Sequence, residues 1–265
     1  MPIRRLQTAQ GRLHHSKAFE IPGVPGPHPL TVYLPPGYDQ SHGRYPVAFI
    51  FDGQNVFGDH GSFAGGWHLD HALDLRAGAG RQVPIVIAIH HGPQRARELS
   101  PWPVEEGQEP LGNTFLEWVV GPLLQMVQED LRVLDGPENT LIGGSSLGGL
   151  LALYGFFKHN DIFGKALVMS PSLWVAEGKI FEFVARARCG GDPRIYLDCG
   201  AREAEGIVIQ HAEWMNDLLT RKGFFPGYHV LWRPDTHGAH NERHWRRRLP
   251  RAMRFLYDMD TPDAI

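Results

Sequence analysis

Short apolar runs alternate with amphipathic segments along most of the chain. The runs are continuous and rich in β-branched residues, which predicts buried strands at 45–51, 84–90, 139–142, 166–169, 194–199 and 228–232. Apolar residues recur at helical spacing between them, which predicts helices at 115–131, 147–158, 179–188, 206–222 and 242–257. Continuous apolar strands are typical of a sheet covered on both faces. The pattern therefore predicts an α/β fold, specifically a doubly wound, mostly parallel sheet with helices on both faces.

The first residues do not follow this alternation. Residues 11–34 are predicted to form two strands around a Pro- and Gly-rich turn at 22–29, an antiparallel lead-in to the main sheet. No internal repeat, low-complexity tract or long linker divides the 265 residues, so we predict a single domain over 1–265. Folds of this type bind ligands at the carboxyl ends of their strands. Functional residues are therefore expected just after the apolar runs.

A glycine-rich turn stands between a predicted strand and a predicted helix. Residues 143–149 read GGSSLGG, in which Gly144, Ser146 and Gly148 form the pattern G-x-S-x-G. This pattern is typical of a sharp strand-to-helix turn that raises a strained serine above the sheet, where only small neighbours fit. A phosphate-binding P-loop is excluded, because no Lys-Ser/Thr pair follows the glycines. Ser146 is therefore the predicted nucleophile, and Ser145 is the competing serine.

A nucleophilic serine needs a base, and the base needs an acid that orients it. After a turn of this kind the acid comes first along the chain and the histidine second. Glu203 lies in the loop after the strand at 194–199 and is the favoured acid. Asp198, Glu205 and Asp235 remain alternatives, and a helix-terminal role for Glu203 also stays open.

The predicted histidine follows the last strand. Both His240 and His237 lie in the loop before the C-terminal helix. His240 is favoured, because it stands directly before that helix and follows a small Gly-Ala pair that allows the loop to turn inward. The chain contains 15 histidines, so this assignment depends on chain order and position.

Acyl transfer passes through an oxyanion, which needs N–H donors fixed in advance. One predicted donor is the backbone N–H of Leu147, the residue after the serine. The other should follow an early central strand, and the strand at 45–51 runs into Asp52-Gly53-Gln54. Gly53 permits close approach of the backbone, which leaves the N–H of Gln54 as the second donor. A simple Asp-Gly turn is the alternative.

Composition limits the other functions that the chain could have. A formal net charge of −3 gives no general attraction to nucleic acid or to anionic membranes. No apolar run approaches the ~18 residues of a membrane span, and no apolar stretch follows the basic N-terminus as in an uncleaved signal peptide. Cys189 and Cys199 show neither a disulfide framework nor metal-ligand spacing. These features predict a cytoplasmic protein with a small-molecule substrate and leave homo-oligomerisation open.

Two other groups of residues suggest different chemistry. Histidines cluster at 237–244 and at 90–91, but they lack the H-E-x-x-H spacing of a zinc site, so neither a metal nor a cofactor is predicted. Arginines at 246–248, 251 and 254 lie on the C-terminal predicted helix with Leu249, Met253 and Leu256. They predict a solvated helix face, with an anion-binding surface as the alternative.

Several motifs together resemble one enzyme family. In chain order they read FDGQN from Phe51, WHLD from Trp67, RARELSPW from Arg95, GGSSLGGL from Gly143, SPSLW from Ser170, and His240 followed by Trp245. This set resembles the putative-esterase family, which includes enterochelin esterase-like enzymes, feruloyl and acetyl-xylan esterases, S-formylglutathione hydrolase and mycolyltransferases. The resemblance extends from about residue 32 to residue 257. It implies an α/β-hydrolase fold and hydrolysis of carboxylic esters.

The resemblance also implies roles for individual residues. Ser146, Glu203 and His240 correspond to the family's catalytic triad, and Gln54 and Leu147 correspond to its oxyanion donors. The acid is Asp in many members and Glu in others, so it is the triad member for which the family pattern gives least support.

The family pattern further nominates three residues for substrate binding. Trp174 ends the Ser-Pro-x-x-Trp stretch, Arg95 occupies the R-x-x-E position of the siderophore-esterase-like branch, and Trp67 begins the Trp-His-Leu-Asp motif. The expected substrate is a carbohydrate, aryl or siderophore ester. Acyl transfer to a sugar or another alcohol at the same site is an alternative, and a non-catalytic, ligand-binding member of the fold is another.

Overall fold

The computed structural model describes residues 10–258, and its centre is an eight-stranded sheet. We number the strands β1 to β10 along the chain: Arg12–His15, Phe19–Ile21, Val24–His28, Leu30–Leu34, Val47–Phe51, Ile85–Ile89, Thr140–Ser145, Lys165–Met169, Arg194–Gly200 and Val230–Asp235. The α-helices α1 to α8 are Leu69–Gly78, Arg95–Glu98, Gly112–Trp118, Leu124–Asp130, Leu147–Lys158, Lys179–Arg186, Ile207–Arg221 and Glu242–Tyr257.

The main sheet has the strand order β1-β4-β6-β5-β7-β8-β9-β10. The pairs β1–β4 and β4–β6 are antiparallel, and the pairs from β6 to β10 are parallel. The strands β2 and β3 form a separate two-stranded sheet. The prediction of a mostly parallel α/β sheet is confirmed, because β4 alone among the described strands of the main sheet runs against the others.

Helices cover both faces of the sheet, and the central strand β5 shows how. Val47, Phe49 and Phe51 pack into one hydrophobic cluster, with buried residues of α3, α5, α6 and α7. Ala48 and Ile50 point the other way, into a second cluster built with α1 and α8. Successive side chains of a strand point to opposite faces, so every residue of β5 is buried. This explains the continuous apolar runs.

The prediction of a turn over the whole Pro- and Gly-rich segment 22–29 is wrong, because most of that segment forms β3. The reversal instead occurs at Pro22 and Gly23, where Gly23 has a φ of +80°. Proline cannot donate to a neighbouring strand. β3 nevertheless accommodates Pro25 and Pro27, because it pairs with β2 alone in the small sheet.

The helix predicted at 115–131 is interrupted. α3 and α4 are separated by a single π-helical turn, Val119–Leu123, which contains Pro122. Proline lacks the N–H that an α-helix interior requires, and a π-helical turn is a known way to accommodate such a break. The pattern also failed to predict α1, which buries only Leu69 and Leu73, and α2, which is four residues long.

The last strand continues further than predicted. β10 pairs with β9 as far as Asp235, opposite Gly200, so Asp235 belongs to the strand and not to the loop. α5 and α8 begin and end where the pattern placed them. The loops that leave β5, β7, β8, β9 and β10 all emerge at one edge of the sheet, where the candidate site lies.

Candidate active site

Ser146 stands on a strained turn between β7 and α5. Its backbone has φ 57° and ψ −122°, a conformation that L-amino acids rarely adopt. A Cβ atom on Gly144 would lie 2.5 Å from the carbonyl carbon and oxygen of Gly148. The first glycine of the pattern is therefore required, because the strand and the first turn of the helix are in backbone contact here.

The surrounding chain fixes the Ser146 backbone. Its N–H donates to the carbonyl of Met169 at the end of β8, and its own carbonyl accepts from the N–H of Ser172 and of Leu150, each at 3.0 Å. The Ser146 hydroxyl lies 3.3 Å from the hydroxyl of Ser172. The strained conformation is thus held by hydrogen bonds from two neighbouring elements.

Glu203 and His240 form a hydrogen-bonded pair at the ends of β9 and β10. Oε2 of Glu203 lies 2.9 Å from Nδ1 of His240. A carboxylate only accepts hydrogen bonds, so this contact requires a hydrogen on Nδ1, and in the neutral form of the imidazole Nε2 then carries a lone pair. The Glu203 side chain is fully buried, whereas that of His240 is 38% exposed.

The other carboxylate oxygen of Glu203 is also hydrogen bonded. Oε1 accepts from the N–H of Gly200 and from the hydroxyl of Ser170, each at 2.7 Å. Burial acts to raise the pKa of Glu203, but the hydrogen bonds from His240 and Ser170 outweigh it and hold the pKa below its ordinary value. Glu203 is therefore ionised at neutral pH.

The alternative acids lie elsewhere. Asp198 is buried within β9 and forms an ion pair with Arg248, at 3.0 Å. Burial raises the pKa of Asp198 to about 7. Asp235 pairs with Arg247 at 2.9 Å, and the side chain of Glu205 lies outside the described part of the structure. Of the described candidates, the structure brings Glu203 to the histidine.

Ser146 and His240 line the same cavity, whose volume is about 510 Å³. In this structure no direct hydrogen bond joins the hydroxyl of Ser146 to the imidazole of His240. The competing histidine, His237, is exposed and lies 3.0 Å from the hydroxyl of Thr236. Hydrogen bonds between a nucleophile and its base are often loose in unliganded sites.

The two N–H groups predicted as oxyanion donors have no hydrogen-bond acceptor among residues 10–258. Leu147 is the first residue of α5, and Gln54 lies in the 3₁₀ turn Gly53–Asn55 after β5. A Cβ atom on Gly53 would lie 2.7 Å from the carbonyl group of Ala88 in β6, which explains why glycine precedes Gln54. Helix N-termini favour negative charge, so both donors are suited to an anion.

Most of the residues that line the cavity have polar side chains. Twelve residues line it: Gln54, Asn55, Gly61, Ser62, Phe63, His91, Arg95, Ser145, Ser146, His240, Glu242 and Trp245. Arg95 binds both carboxylate oxygens of Asp52 through Nε and Nη2, each at 2.7 Å. Its third guanidinium nitrogen, Nη1, is not used in this contact. Phe63 is 93% exposed beside the cavity, so an aromatic ring stands next to a polar interior.

Two residues predicted to bind substrate lie outside this cavity. Trp67 is fully buried and packs edge-on against Trp245, with ring centroids 6.3 Å apart, so the prediction that it binds substrate is wrong. Trp174 is 46% exposed at the start of the turn after β8, and it is not among the cavity residues. Of the three predicted binding residues, the structure places Arg95 at the cavity.

Several residues near the site had no predicted role. Ser172 contacts the Ser146 hydroxyl, and the ring of Trp245 lies edge-on to that of His240, with centroids 5.0 Å apart. Ser170 and Arg248 contact Glu203. The motifs SPSLW and His240 followed by Trp245 marked three of these positions, but nothing in the sequence pattern indicated what they contact.

Among residues 10–258, no group of three or more His, Cys, Asp or Glu side chains is placed to hold a metal ion. Cys189 and Cys199 are free thiols. None of the described helices combines the length and the apolar character needed to cross a membrane.

Comparison with known families agrees with this geometry. Residues 24–256 match the family described as Putative esterase. The chain belongs to this family. The match to the esterase family extends along nearly the whole described chain, and it confirms the resemblance inferred from the sequence.

Similar proteins fall into two kinds. Among curated relatives, an uncharacterised protein from Bacillus subtilis is 23% identical over 86% of this chain and 92% of its own length. An iron(III) enterobactin esterase from Dickeya dadantii is 27% identical over 86% of this chain, which spans only 51% of that relative. Among solved structures, a ferulic acid esterase superimposes with a TM-score of 0.71 at 17% identity, covering 94% of this chain and 98% of its own.

The family and the fold together establish the class of reaction. The sheet order and the structural neighbours identify an α/β-hydrolase-like fold, as predicted. The esterase family identifies the chain as a carboxylic ester hydrolase, which confirms the predicted enzyme class.

The close contact at Gly144 provides a test of the turn. Gly144→Ala places a Cβ atom against the Gly148 backbone, so the turn must shift. We expect the free energy of unfolding to fall by about 1–3 kcal/mol. Hydrolysis of p-nitrophenyl acetate should fall by at least about tenfold, because small displacements of a reacting group are costly. Urea denaturation and steady-state kinetics measure the two effects.

Gly190→Ala is the matched control, because no atom lies within 4 Å of a Cβ atom built there. Its free energy of unfolding should stay within about 0.5 kcal/mol of that of the wild type. Equal behaviour of the two variants contradicts the backbone contact at the turn.

Proposed function

We propose that the protein is a serine esterase that forms an acyl-enzyme on Ser146. One observation carries this proposal: a strained serine opens onto the same cavity as a histidine whose Nδ1 is held by a buried carboxylate at 2.9 Å. That arrangement supplies a nucleophile, a base with its lone pair on Nε2, and an acid that orients the base.

In the first step the Ser146 hydroxyl turns from Ser172 toward Nε2 of His240. The serine oxygen attacks the carbonyl carbon of the ester while the hydroxyl proton passes to Nε2. The π electrons of the carbonyl group move onto the carbonyl oxygen, which becomes the oxyanion. The imidazole becomes an imidazolium, whose charge Glu203 stabilises without taking the proton. The low pKa of Glu203 suits this role, because the carboxyl must remain ionised.

The developing oxyanion is stabilised by the N–H groups of Gln54 and Leu147. Both lie at the start of helical turns, where N–H groups lack intrahelical acceptors. Each donor of this kind contributes on the order of 3 kcal/mol to the transition state. Collapse of the tetrahedral intermediate breaks the bond to the alcohol, which leaves with the proton from His240.

The second half of the reaction repeats the first with water. Nε2 of His240 accepts a proton from a water molecule as its oxygen attacks the acyl carbon. A second tetrahedral intermediate then releases the carboxylic acid and restores the Ser146 hydroxyl. No group beyond those already named is required.

The substrate is an ester whose acyl or alcohol part carries hydrogen-bonding groups, such as a carbohydrate, hydroxyaryl or siderophore ester. The polar side chains of the cavity support this class, because an apolar substrate group would leave the side-chain amide of Asn55 and the amide nitrogen of Gln54 without partners. The third guanidinium nitrogen of Arg95 is a further donor for such a substrate. The names of the relatives, an enterobactin esterase and a ferulic acid esterase, agree with it.

Removal of the nucleophile tests the acyl-enzyme. Ser146→Ala should lower kcat for p-nitrophenyl acetate by about 10⁶, because the three residues act as a unit. For Ser145→Ala, at the neighbouring buried serine, kcat should stay within about tenfold of the wild-type value. A fluorophosphonate probe should label the wild type on Ser146, as read by mass spectrometry of the peptide. Turnover by Ser146→Ala close to that of the wild type contradicts the proposal.

The identity of the acid is tested with two isosteric variants. Glu203→Gln should lower kcat by about 10³–10⁴, because the amide cannot stabilise the imidazolium. Asp198→Asn alters the other buried carboxylate, and we expect kcat to stay within about tenfold with an effect mainly on stability. If the two variants exchange these results, Asp198 and not Glu203 supports the histidine.

The polar cavity predicts the order of activities on simple esters. We expect kcat/KM for p-nitrophenyl octanoate to be lower than for the acetate by about tenfold or more, because the long chain buries polar wall groups without partners. Methyl ferulate, which carries a phenolic hydroxyl, should be hydrolysed. An activity that rises with acyl chain length excludes the proposed substrate class. It does not contradict the proposal of an acyl-enzyme on Ser146.

The cytoplasmic location, the small-molecule partner and the single-domain organisation remain predictions from the sequence. The same holds for the absence of nucleic-acid and membrane partners.

A further inference from the structure

A buried polar cluster lies at Oε1 of Glu203, the carboxylate oxygen that does not contact His240. It consists of Ser170 at the end of β8 and of Trp245 and Arg248 on α8, each at most 5% exposed. Arg248 belongs to the basic run that the sequence predicted to be a solvated face, and that prediction is wrong for this arginine. None of the three residues has a part in the proposed proton transfers. Ser170 and Arg248 contact the acid that supports the histidine, and Trp245 is linked to it through Ser170.

Ser170 is the junction of this cluster. Its Oγ accepts a hydrogen bond from Nε1 of Trp245 at 2.9 Å and from Nη2 of Arg248 at 3.1 Å. The same oxygen lies 2.7 Å from Oε1 of Glu203. Three polar neighbours therefore converge on one hydroxyl group.

The direction of each hydrogen bond follows from chemistry. An indole N–H and a guanidinium N–H can only donate, so Trp245 and Arg248 occupy both lone pairs of the Ser170 oxygen. The single hydroxyl hydrogen is then directed to Glu203. A hydroxyl can usually rotate, but this one has a single orientation that satisfies all three neighbours.

The backbone at Ser170 supports the same interpretation. Ser170 has a φ of +42°, a region that glycine adopts at lower cost than any other residue. Its N–H donates to the carbonyl of Asp198 at 2.9 Å, which holds the residue against β9. A serine at this position retains conformational strain and gains a hydroxyl aimed at the acid.

Arg248 also balances the charge. Its Nη1 lies 3.0 Å from Asp198 and its Nη2 lies 3.5 Å from Oε1 of Glu203, so one guanidinium stands between two buried carboxylates. A buried carboxylate without a cation is costly. Arg248 therefore allows Glu203 to stay ionised beside Asp198.

From this geometry we infer that Ser170 is a positioning residue for the reaction, and that Trp245 and Arg248 set the direction of its hydroxyl. Ser170 and the Gly200 N–H hold one oxygen of Glu203, which keeps the other oxygen aligned with His240. The inference rests on the proposed function, because it assigns Ser170 an effect that reaches the substrate through Glu203 and His240.

A double-mutant cycle tests this path. Ser170→Ala should lower kcat by about ten- to a hundredfold with KM within about threefold, as expected for neighbours in one hydrogen-bonded network. In a Glu203→Gln background the same substitution should lower kcat by no more than about twofold. Equal losses in the two backgrounds overturn the inference, because they show that Ser170 acts independently of Glu203.

Two further variants separate positioning from general damage. Ser100→Ala removes another fully buried serine hydroxyl, which bonds to the Trp102 carbonyl, and should leave kcat unchanged. Trp245→Phe keeps an aromatic ring beside His240 but removes the N–H, so it should lower kcat in the same direction as Ser170→Ala. A kcat equal to that of the wild type in Trp245→Phe overturns the role assigned to Trp245. This variant also tests the inference if Ser170→Ala fails to fold.

The pH dependence gives an independent measurement. The Ser170 hydrogen bond helps to hold the pKa of Glu203 down, so its loss raises that pKa and more of the carboxyl is protonated in acid. The loss of kcat in Ser170→Ala should therefore be larger at pH 5 than at pH 8, and an equal loss at both contradicts the inference. Fluorophosphonate labelling of the wild type is measured in parallel, because its absence rejects the serine esterase itself and not the role of Ser170.

Discussion

Parallel pairing from β5 to β10 is the constraint on which the site depends. Parallel neighbours deliver their carboxyl ends to the same edge of the sheet, so the segments that follow β5, β7, β8, β9 and β10 meet there. They carry Gln54, Ser146, Ser170, Glu203 and His240 respectively. Residues that are up to 186 positions apart in the sequence are thus brought to one edge of the sheet by the pairing of its strands.

The site concentrates features that are unfavourable in isolation. Ser146 and Ser170 have positive φ values without being glycine, and two carboxylates, Asp198 and Glu203, are buried near each other. These costs are offset locally by backbone hydrogen bonds to Ser146 and by the single guanidinium of Arg248. The two hydrophobic clusters on the faces of the sheet supply the stability that allows such strain to persist.

The sequence predicted the features that depend on local pattern. The continuous apolar runs identified the buried strands, and α5 and α8 were bounded correctly because their apolar periodicity is strong. The glycines around Ser146 identified the strained turn, since backbone contact at Gly144 excludes any side chain there. Chain order then selected Glu203 and His240, and the structure brings these two residues into contact.

Features that depend on tertiary contact were not predictable in this way. Trp67 looked like a binding residue in its motif, yet its ring fills the core beside Trp245. Arg248 belongs to a run of arginines that reads as solvent-facing, and its burial follows only from the carboxylates that β9 and its loop present to α8. Pro25 and Pro27 indicated a turn, because the sequence does not reveal that their strand pairs with only one neighbour.

The placement of α8 has a mechanical consequence. The helix begins two residues after His240, and it also carries Trp245 and Arg248, which donate to the Ser170 hydroxyl that holds Oε1 of Glu203. The base is thus joined through a single residue, Asn241, to the helix that carries Trp245 and Arg248. A shift of α8 against the sheet therefore displaces the attachment point of the imidazole loop together with the side chains of Trp245 and Arg248.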